Sequence, residues 1–302
     1  MSSTTRGKFG KIVESLRKER IFYDDNGNPK GWTRKQLVKQ MGDVFTEYQV
    51  QQIENGDKVT PQEDILNALA NAFNLTTSER SEFFLLTINV AREKIPRPES
   101  SADEALKKTL GYLSGIRLPF FISDGFCDVI RINKILEKLL SLEEFVKRAP
   151  NRPEGYNTAF FTFNNDEQYK NLMGDRWEKH AIYNMRYFRE RTLTSRHHPY
   201  FSKIRSELLQ QKEFKDYWQK SQEHEDDDYF SGHIGYDYCH PNYGQLKYVA
   251  CETITVTTEG NLSVITYAPT DSDTANIFEK LAREVGTYVI EGAPWPKPWP
   301  KE

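Results

Sequence analysis

The residues with the most specific chemistry in this chain lie between Thr46 and Gly56, in the run TEYQVQQIENG. On a helix, Val50 and Ile53 turn inward while Glu47, Tyr48, Gln51 and Gln52 face out. Two adjacent glutamines beside a tyrosine are poor solvating choices, but amide and carboxylate side chains pair well with base edges in a DNA major groove. A second candidate is metal ligation by His224, His233, Cys239 and His240, near Glu223, Glu225 and the aspartates 226 to 228. These types suit zinc, yet no pair has the spacing that local ligand geometry favours. His240-Pro241-Asn242-Tyr243-Gly244 reads better as a hairpin turn, and the acids as a solvated loop. There is no G-x-S-x-G, and no glycine-rich loop follows a strand. No cysteine has a helix-start or histidine context except Cys239, at a strand end. The expectation is a protein without a catalytic site, resident metal or cofactor.

The candidate base-reading face needs a scaffold, and the flanking residues supply one. Thr33 caps a helix from Arg34 to about Met41, with Leu37, Val38 and Met41 on one apolar face. Gly42 permits a sharp reversal, Thr46 caps the second helix, and Glu54-Asn55-Gly56 closes it. This is the pattern of a helix-turn-helix. Upstream, residues 8 to 22 form an amphipathic helix with Phe9, Ile12, Val13 and Leu16 inward, and the turn-rich stretch 23 to 31 makes a loop or small hairpin. Downstream, a fourth helix starts at Pro61 and runs through Ile65, Leu69 and Phe73. A fifth, capped by Thr77 or Ser78, runs through Phe83, Phe84 and Ile88. Five short helices over residues 1–94 make a bundle able to bury its own core. Arg6 to Lys39 holds ten bases against four acids, and Gln40 to Val90 two bases against eight acids. The positive surplus thus lies on the first two helices, where it is compatible with phosphate contact.

The second half has a different period. After a linker at 95–104 stiffened by Pro96 and Pro98 comes a helix from Leu106 to Gly115. Two β-rich runs follow, Pro119 to Ser123 and Cys127 to Ile132, flanking Asp124-Gly125, a strong hairpin signal. Residues 133 to 222 read as helix, and three further strands follow at 229–239, 245–256 and 262–267. The predicted fold is α+β: the helical bundle, then at 105–285 a five-stranded antiparallel sheet with a helical insert, then a loosely packed Pro/Trp-rich tail at 286–302. Aromatic residues exceed what a small sheet needs, so an apolar pocket is expected. Candidate lining residues are Phe120, Phe121, Ile122, Phe126, Val129, Ile130 and Asn133 around the hairpin, and Tyr183, Tyr187, Phe188 and Trp218 on the helices. Arg131 and Arg186 are candidates to meet an anionic head group.

The chain has 302 residues, a net charge of -3 and three widely spaced cysteines. An odd, scattered cysteine set argues for a reducing compartment rather than a disulfide framework. No apolar run reaches a membrane span and no signal peptide is evident, so the expected location is cytoplasmic.

The residues quoted above also carry a family resemblance. Residues 8 to 91, with Glu54-Asn55-Gly56 closing the second helix of the turn, resemble the Xre/Cro-type helix-turn-helix domain. Residues 105 to 285 look like the PAS-like ligand-binding domain of MmyB-like transcription regulators. That likeness rests on Pro119 to Asn133, Tyr183 to Phe188, Phe214 to Trp218, His240-Pro241 through Leu246, and Glu252 to Val256. The resemblance implies a homodimer on operator DNA, with Glu47, Tyr48 and Gln52 facing bases and Arg34 and Asn55 touching phosphates. Thr33, Thr46, Gln51 and Lys58 complete the expected interface with double-stranded DNA. It also implies a sensor pocket for a small apolar effector, with a fatty acid suggested for the family. The alternative reading is a helix-turn-helix fold that contacts protein instead of DNA.

Overall fold

The computed structural model describes residues 3–24, 26–42, 45–57, 61–87, 101–151, 155–163, 168–223, 234–257 and 260–297. They divide into two compact units, Met1–Ile95 with Arg189–Arg205, and Pro96–Phe188 with Ser206–Glu302.

The first unit contains helices α1 (Ser3–Glu19), α2 (Arg34–Gln40), α3 (Glu47–Glu54), α4 (Glu63–Ala72) and α5 (Thr77–Leu85). The turn-rich stretch after α1 folds as a two-stranded antiparallel hairpin of β1 (Ile21–Tyr23) and β2 (Pro29–Gly31). Local chemistry explains the helix starts. Thr33 with Gln36, Thr46 with Gln49, and Thr76 with Glu79 each form a reciprocal capping box. Each box satisfies two backbone donors that the first helical turn leaves unpaired. Thr76 caps α5, rather than Thr77 or Ser78, because only Thr76 stands three residues before a glutamate. Gly42 adopts φ +87, which lets the chain reverse after α2.

Phe9, Ile12, Val13 and Leu16 of α1 pack with Leu37, Val50, Ile53, Ile65, Leu69, Phe73 and Phe83 into one core. Each fully buried side chain of this kind contributes about 1.5–3 kcal/mol. The tightest crossing is at Gly10, where an added Cβ would stand 2.4 Å from the carbonyl oxygens of Ile53 and Glu54. The end of α3 is therefore held directly against α1. A Gly10→Ala change should lower stability by about 1–3 kcal/mol through overpacking. Urea denaturation measures this, and an unchanged midpoint would mean that α1 and α3 separate without cost.

Two buried carboxylates join distant parts of this unit. Glu54 pairs with Arg17 at 2.6 Å and with Arg34 at 2.7 Å. Glu79, fully buried, meets Arg189 at 2.9 Å and also Arg196. Burial by itself would raise the Glu79 pKa, but the two guanidinium groups outweigh it and hold the carboxyl at about 2.

The second unit is built on the strands β3 (Phe120–Asp124), β4 (Val129–Asn133), β5 (Ile234–His240), β6 (Gly244–Thr257), β7 (Gly260–Pro269) and β8 (Val289–Glu291). Its sheet is antiparallel throughout, in the order β5-β6-β7-β3-β4-β8. The helices are α6 (Ala102–Leu113), α7 (Lys134–Leu139), α8 (Glu143–Arg148), α9 (Thr158–Phe163), α10 (Gln168–Met173), α11 (Trp177–Thr192), α12 (Pro199–Leu208), α13 (Lys212–Glu223) and α14 (Ser272–Val285). The last turn of α11, from Arg189, falls in the first unit, as does most of α12, up to Arg205.

The sheet has six strands among the described residues, where the sequence predicts five. The sixth comes from the stretch expected to be a loose tail. Val289–Glu291 pairs with Arg131 to Asn133, and the amides of Gly292 and Ala293 donate to the carbonyls of Ile130 and Val129. A Cβ at Gly292 would lie 2.2 Å from the Val129 carbonyl oxygen, so only glycine fits against β4 there. Beyond it, the Lys297 ammonium pairs with Asp124 at 3.1 Å and with Asp128. Composition read this segment as a tail because three residues are too few to show a strand period, and the partner strand lies about 160 residues earlier.

Candidate functional site

Two places in the described residues bring site candidates together: the outward face of α3, and a cavity in the second unit. On α3, Glu47, Tyr48, Gln51 and Asn55 are exposed and Gln52 is half-exposed. The Gln52 amide donates to the Tyr48 hydroxyl at 3.0 Å, which fixes the two side chains relative to each other. Thr33 and Thr46 serve as helix caps, and their backbone amides are held by Gln36 and Gln49. Arg34 is engaged with Glu54, whose other partner is Arg17. Glu54 thus ties α1, α2 and α3 together, a role that its place at a helix end does not reveal, because both arginines lie at least twenty residues away in sequence. Lys58 lies outside the described residues.

The cavity is formed wholly by residues of the second unit and is open on one side; about 740 Å³ of space, solvent at its mouth included, is free of protein atoms there. Its floor is Phe121 of β3 with Val129 and Ile132 of β4. An apolar wall follows from Leu136, Leu140, Leu142, Phe145 and Val146 on α7, α8 and the turn between them. Tyr156, Thr158, Ala159, Phe161 and Thr162 close another side at α9. The remaining boundary is polar but uncharged: Tyr169, Asn184, Tyr187, Tyr236 and Tyr267.

Strand geometry decides which hairpin residues reach the cavity. Side chains alternate along β3, so Phe121 faces it while Phe120 and Ile122 turn to the other side. There they pack with Leu106, Leu113 and Leu262 in a separate core. The pairing shifts between Ile122↔Arg131 and Ser123↔Val129, leaving Ile130 as an extra residue in β4. This bulge puts Val129 and Ile132 on the cavity side and sends Ile130 to the core beside Phe120.

The other candidates are accounted for elsewhere. The Asn133 side chain accepts from the amides of Phe120 and Leu136 and donates to the Leu118 carbonyl, tying β3 to the start of α7. Arg131 pairs with Glu291 at 3.3 Å, and Arg186 donates to the Ser221 carbonyl. Neither is among the residues that line the cavity. Phe126 lies under the Lys297 ammonium, and the Lys179 ammonium sits over the Tyr183 ring. Phe188 and Trp218 pack with Phe214 in an aromatic core. The cavity therefore takes Phe121, Val129 and Tyr187 from the candidates. Most of the remainder is contributed by α7 to α10 and by tyrosines on β5 and β7, which share no local motif.

The tyrosines form a connected cluster. Tyr236 stacks on Tyr248 with ring centroids 4.7 Å apart, and on its other side His180 stacks at 4.7 Å. Tyr267 meets Tyr236 edge-on, with ring centroids 5.7 Å apart. Burial pushes the phenols of Tyr169, Tyr236 and Tyr267 well up, and it lowers the His180 imidazole to about 4. These groups are neutral at physiological pH.

Of the histidine and cysteine candidates, His240 is buried with Nε2 at 3.0 Å from the Leu139 carbonyl, while Nδ1 accepts from the Asn242 amide. It anchors the β5–β6 turn. Cys239 is exposed on β5, and His224 and His233 lie outside the described residues.

A cavity with an apolar wall and a few polar groups, lined by both strands and helices, is a ligand-binding arrangement. Residues 103–281, more than half of the chain, match the family model of the MmyB-like transcription regulator ligand-binding domain. The chain belongs to that family. Every residue lining the cavity falls inside the matched range, so the cavity is a feature of the MmyB-like domain. As a member of this family the protein is a transcription regulator with a ligand-binding domain. A comparison with curated proteins finds no significant match. No helix among the described residues is long and apolar enough to cross a membrane.

Proposed function

We propose that this MmyB-like regulator binds operator DNA through α3 and changes its DNA affinity when a small apolar effector enters the cavity. The carrying observation is the exposed face of α3, where Glu47, Tyr48, Gln51 and Gln52 stand on a helix fixed by a capping box and by its contact with Gly10. A rigidly held helix with a polar, hydrogen-bonding face is what major-groove reading requires. One such helix reads too few base pairs for useful specificity, so a homodimer with half-sites about one helical turn apart is the working unit. An acyl chain, as the family resemblance implies, suits the cavity's apolar wall.

Gln52→Ala should weaken specific binding by roughly 1–3 kcal/mol while leaving binding to random duplex nearly unchanged. The test is a gel-shift titration against an operator selected from random duplexes, run at several salt concentrations. Equal loss on both DNAs would remove Gln52 from base reading. Absence of any salt-dependent DNA binding by the parent protein would favour a protein-contacting role for the helix-turn-helix.

A further inference from the structure

Resting on the ligand-sensing reading above, we infer that the C-terminal strap, residues 292–297, latches one wall of the cavity, so that its release opens the site to ligand exchange. The strap follows β8 and lies beyond the residues that match the family model. It is pinned to the second unit at three points. The Ala293 amide donates to the Val129 carbonyl at 2.7 Å, and the Trp295 ring packs beside the core of Phe120, Ile122 and Ile130. The buried Lys297 ammonium pairs with Asp124 at 3.1 Å and with Asp128. Pro294 and Pro296, between these points, are exposed, so the strap covers the unit from outside.

The groups that the strap holds are the ones that hold the wall. Val129 receives the strap at its carbonyl and donates its amide to the Tyr156 carbonyl at 3.0 Å. Asp128 meets Lys297 through Oδ2 and accepts from the Asn157 side-chain amide on Oδ1 at 2.7 Å. That amide also donates to the Phe126 carbonyl, and the Thr158 backbone amide donates to the Cys127 carbonyl at 2.9 Å. The Asn157 side-chain oxygen accepts from the Ala159 amide at 3.0 Å. Tyr156, Thr158 and Ala159 line the cavity. Residues 126–129 are thus one bracket, with the strap on one side and the wall on the other. The bracket is itself strained, since the buried Cys127 stands at φ +64, a left-handed conformation that residues with a Cβ rarely adopt. Such a residue keeps its conformation only where its surroundings over-determine it, and Lys297 contributes by joining the aspartates on either side. With the lysine withdrawn, two buried carboxylates repel each other across the turn. The turn then relaxes and loosens its hold on Asn157 and Thr158. Local opening of this kind frees a wall element while the sheet stays folded.

The test is hydrogen exchange read by mass spectrometry on the full-length protein, together with stopped-flow release of the uncharged apolar dye prodan. In Lys297→Met the amides of residues 156–162 should exchange at least about tenfold faster than in the parent, the effect of one lost hydrogen bond to a charged group. Bound prodan should leave faster by a similar factor. Lys297→Arg, which keeps a cation on the two aspartates, should return both rates toward those of the parent. Leu113→Ala is the comparison, because it weakens the core on the other face of the sheet without touching the bracket. It should leave exchange at residues 156–162 close to that of the parent. Parent-like exchange in Lys297→Met, unchanged prodan release, or an equal rise in Leu113→Ala would each overturn the latch. If the exchange pattern is as expected but the parent takes up no prodan, the latch stands and the ligand-sensing reading is what fails.

Discussion

Replacing Glu79 with alanine should destabilise the first unit by about 3–5 kcal/mol, the usual cost of removing one partner from a buried ion pair. The side chains of Glu79, Arg189 and Arg196 are each at most 1% exposed, and the one carboxylate meets both guanidinium groups. Removing it leaves two cations in the protein interior with much less compensation. Glu19, which stands 3.6 Å from Arg196, offsets part of the loss. Urea denaturation followed by circular dichroism measures the effect, and a loss under 1 kcal/mol would show that water reaches this site. The pH dependence has a definite sign. The Glu79 carboxyl is held at about 2 in the folded chain, below its value of about 4.3 in an unfolded one. Its stabilisation is therefore complete above about pH 4.5 and is lost as pH falls toward 2. The gap between parent and variant should close in that window.

The second large effect is expected at the other end of the chain. Lys297→Met should cost about 3–5 kcal/mol above pH 7 and much less near pH 5, since it strips the cation from two buried aspartates. Burial and the neighbouring Asp128 push Asp124 up to about 6 even with Lys297 present. Burial would lower Lys297 itself, but the two carboxylates outweigh it and keep the ammonium charged. The Asp124 carboxylate also accepts from the amides of Phe126 and Asp128 and so shapes the β3–β4 turn. In the folded chain Asp124 retains a proton at pH values where an unfolded aspartate, near 3.9, has lost it. Stability from this group therefore falls as pH rises from about 4 through the folded pKa. Without Lys297 that pKa moves higher and the fall is longer, so the deficit grows with pH. Thermal unfolding of parent and variant between pH 5 and pH 8 reads the difference. A deficit that does not depend on pH would mean the lysine acts only through its packing on Phe126.

These two clusters mark the boundary of what the amino-acid sequence determines by itself. The helix starts at Thr33 and Thr46 and the reversal at Gly42 are set by residues within four positions of one another, and they are legible without a fold. The outward face of α3 follows from the same local rule, because helical period alone separates Val50 and Ile53 from Glu47, Tyr48 and Gln51. The Asp124-Gly125 hairpin and the His240 to Gly244 turn are local in the same sense.

The cavity depends on contacts between residues far apart in sequence. Phe120 and Phe121 are chemically identical neighbours, and only pairing with β4 and β7 assigns one to the core and the other to the lining. The bulge at Ile130 reverses the alternation along β4, a change that no periodicity reveals in advance. Tyr236 and Tyr267 reach the cavity from strands more than a hundred residues beyond Phe121, because sheet order brings β5, β7 and β3 into one layer. Arg186, Arg189 and Arg196 look like surface charge in a helical run. Their fates are set by the Ser221 carbonyl and by a glutamate on α5, more than a hundred residues before the two arginines it holds. Local spacing determines where helices and turns begin. Which side chain ends in a core, a cavity or an ion pair is decided by the partner that tertiary structure supplies, since burial and charge compensation are properties of the assembled neighbourhood.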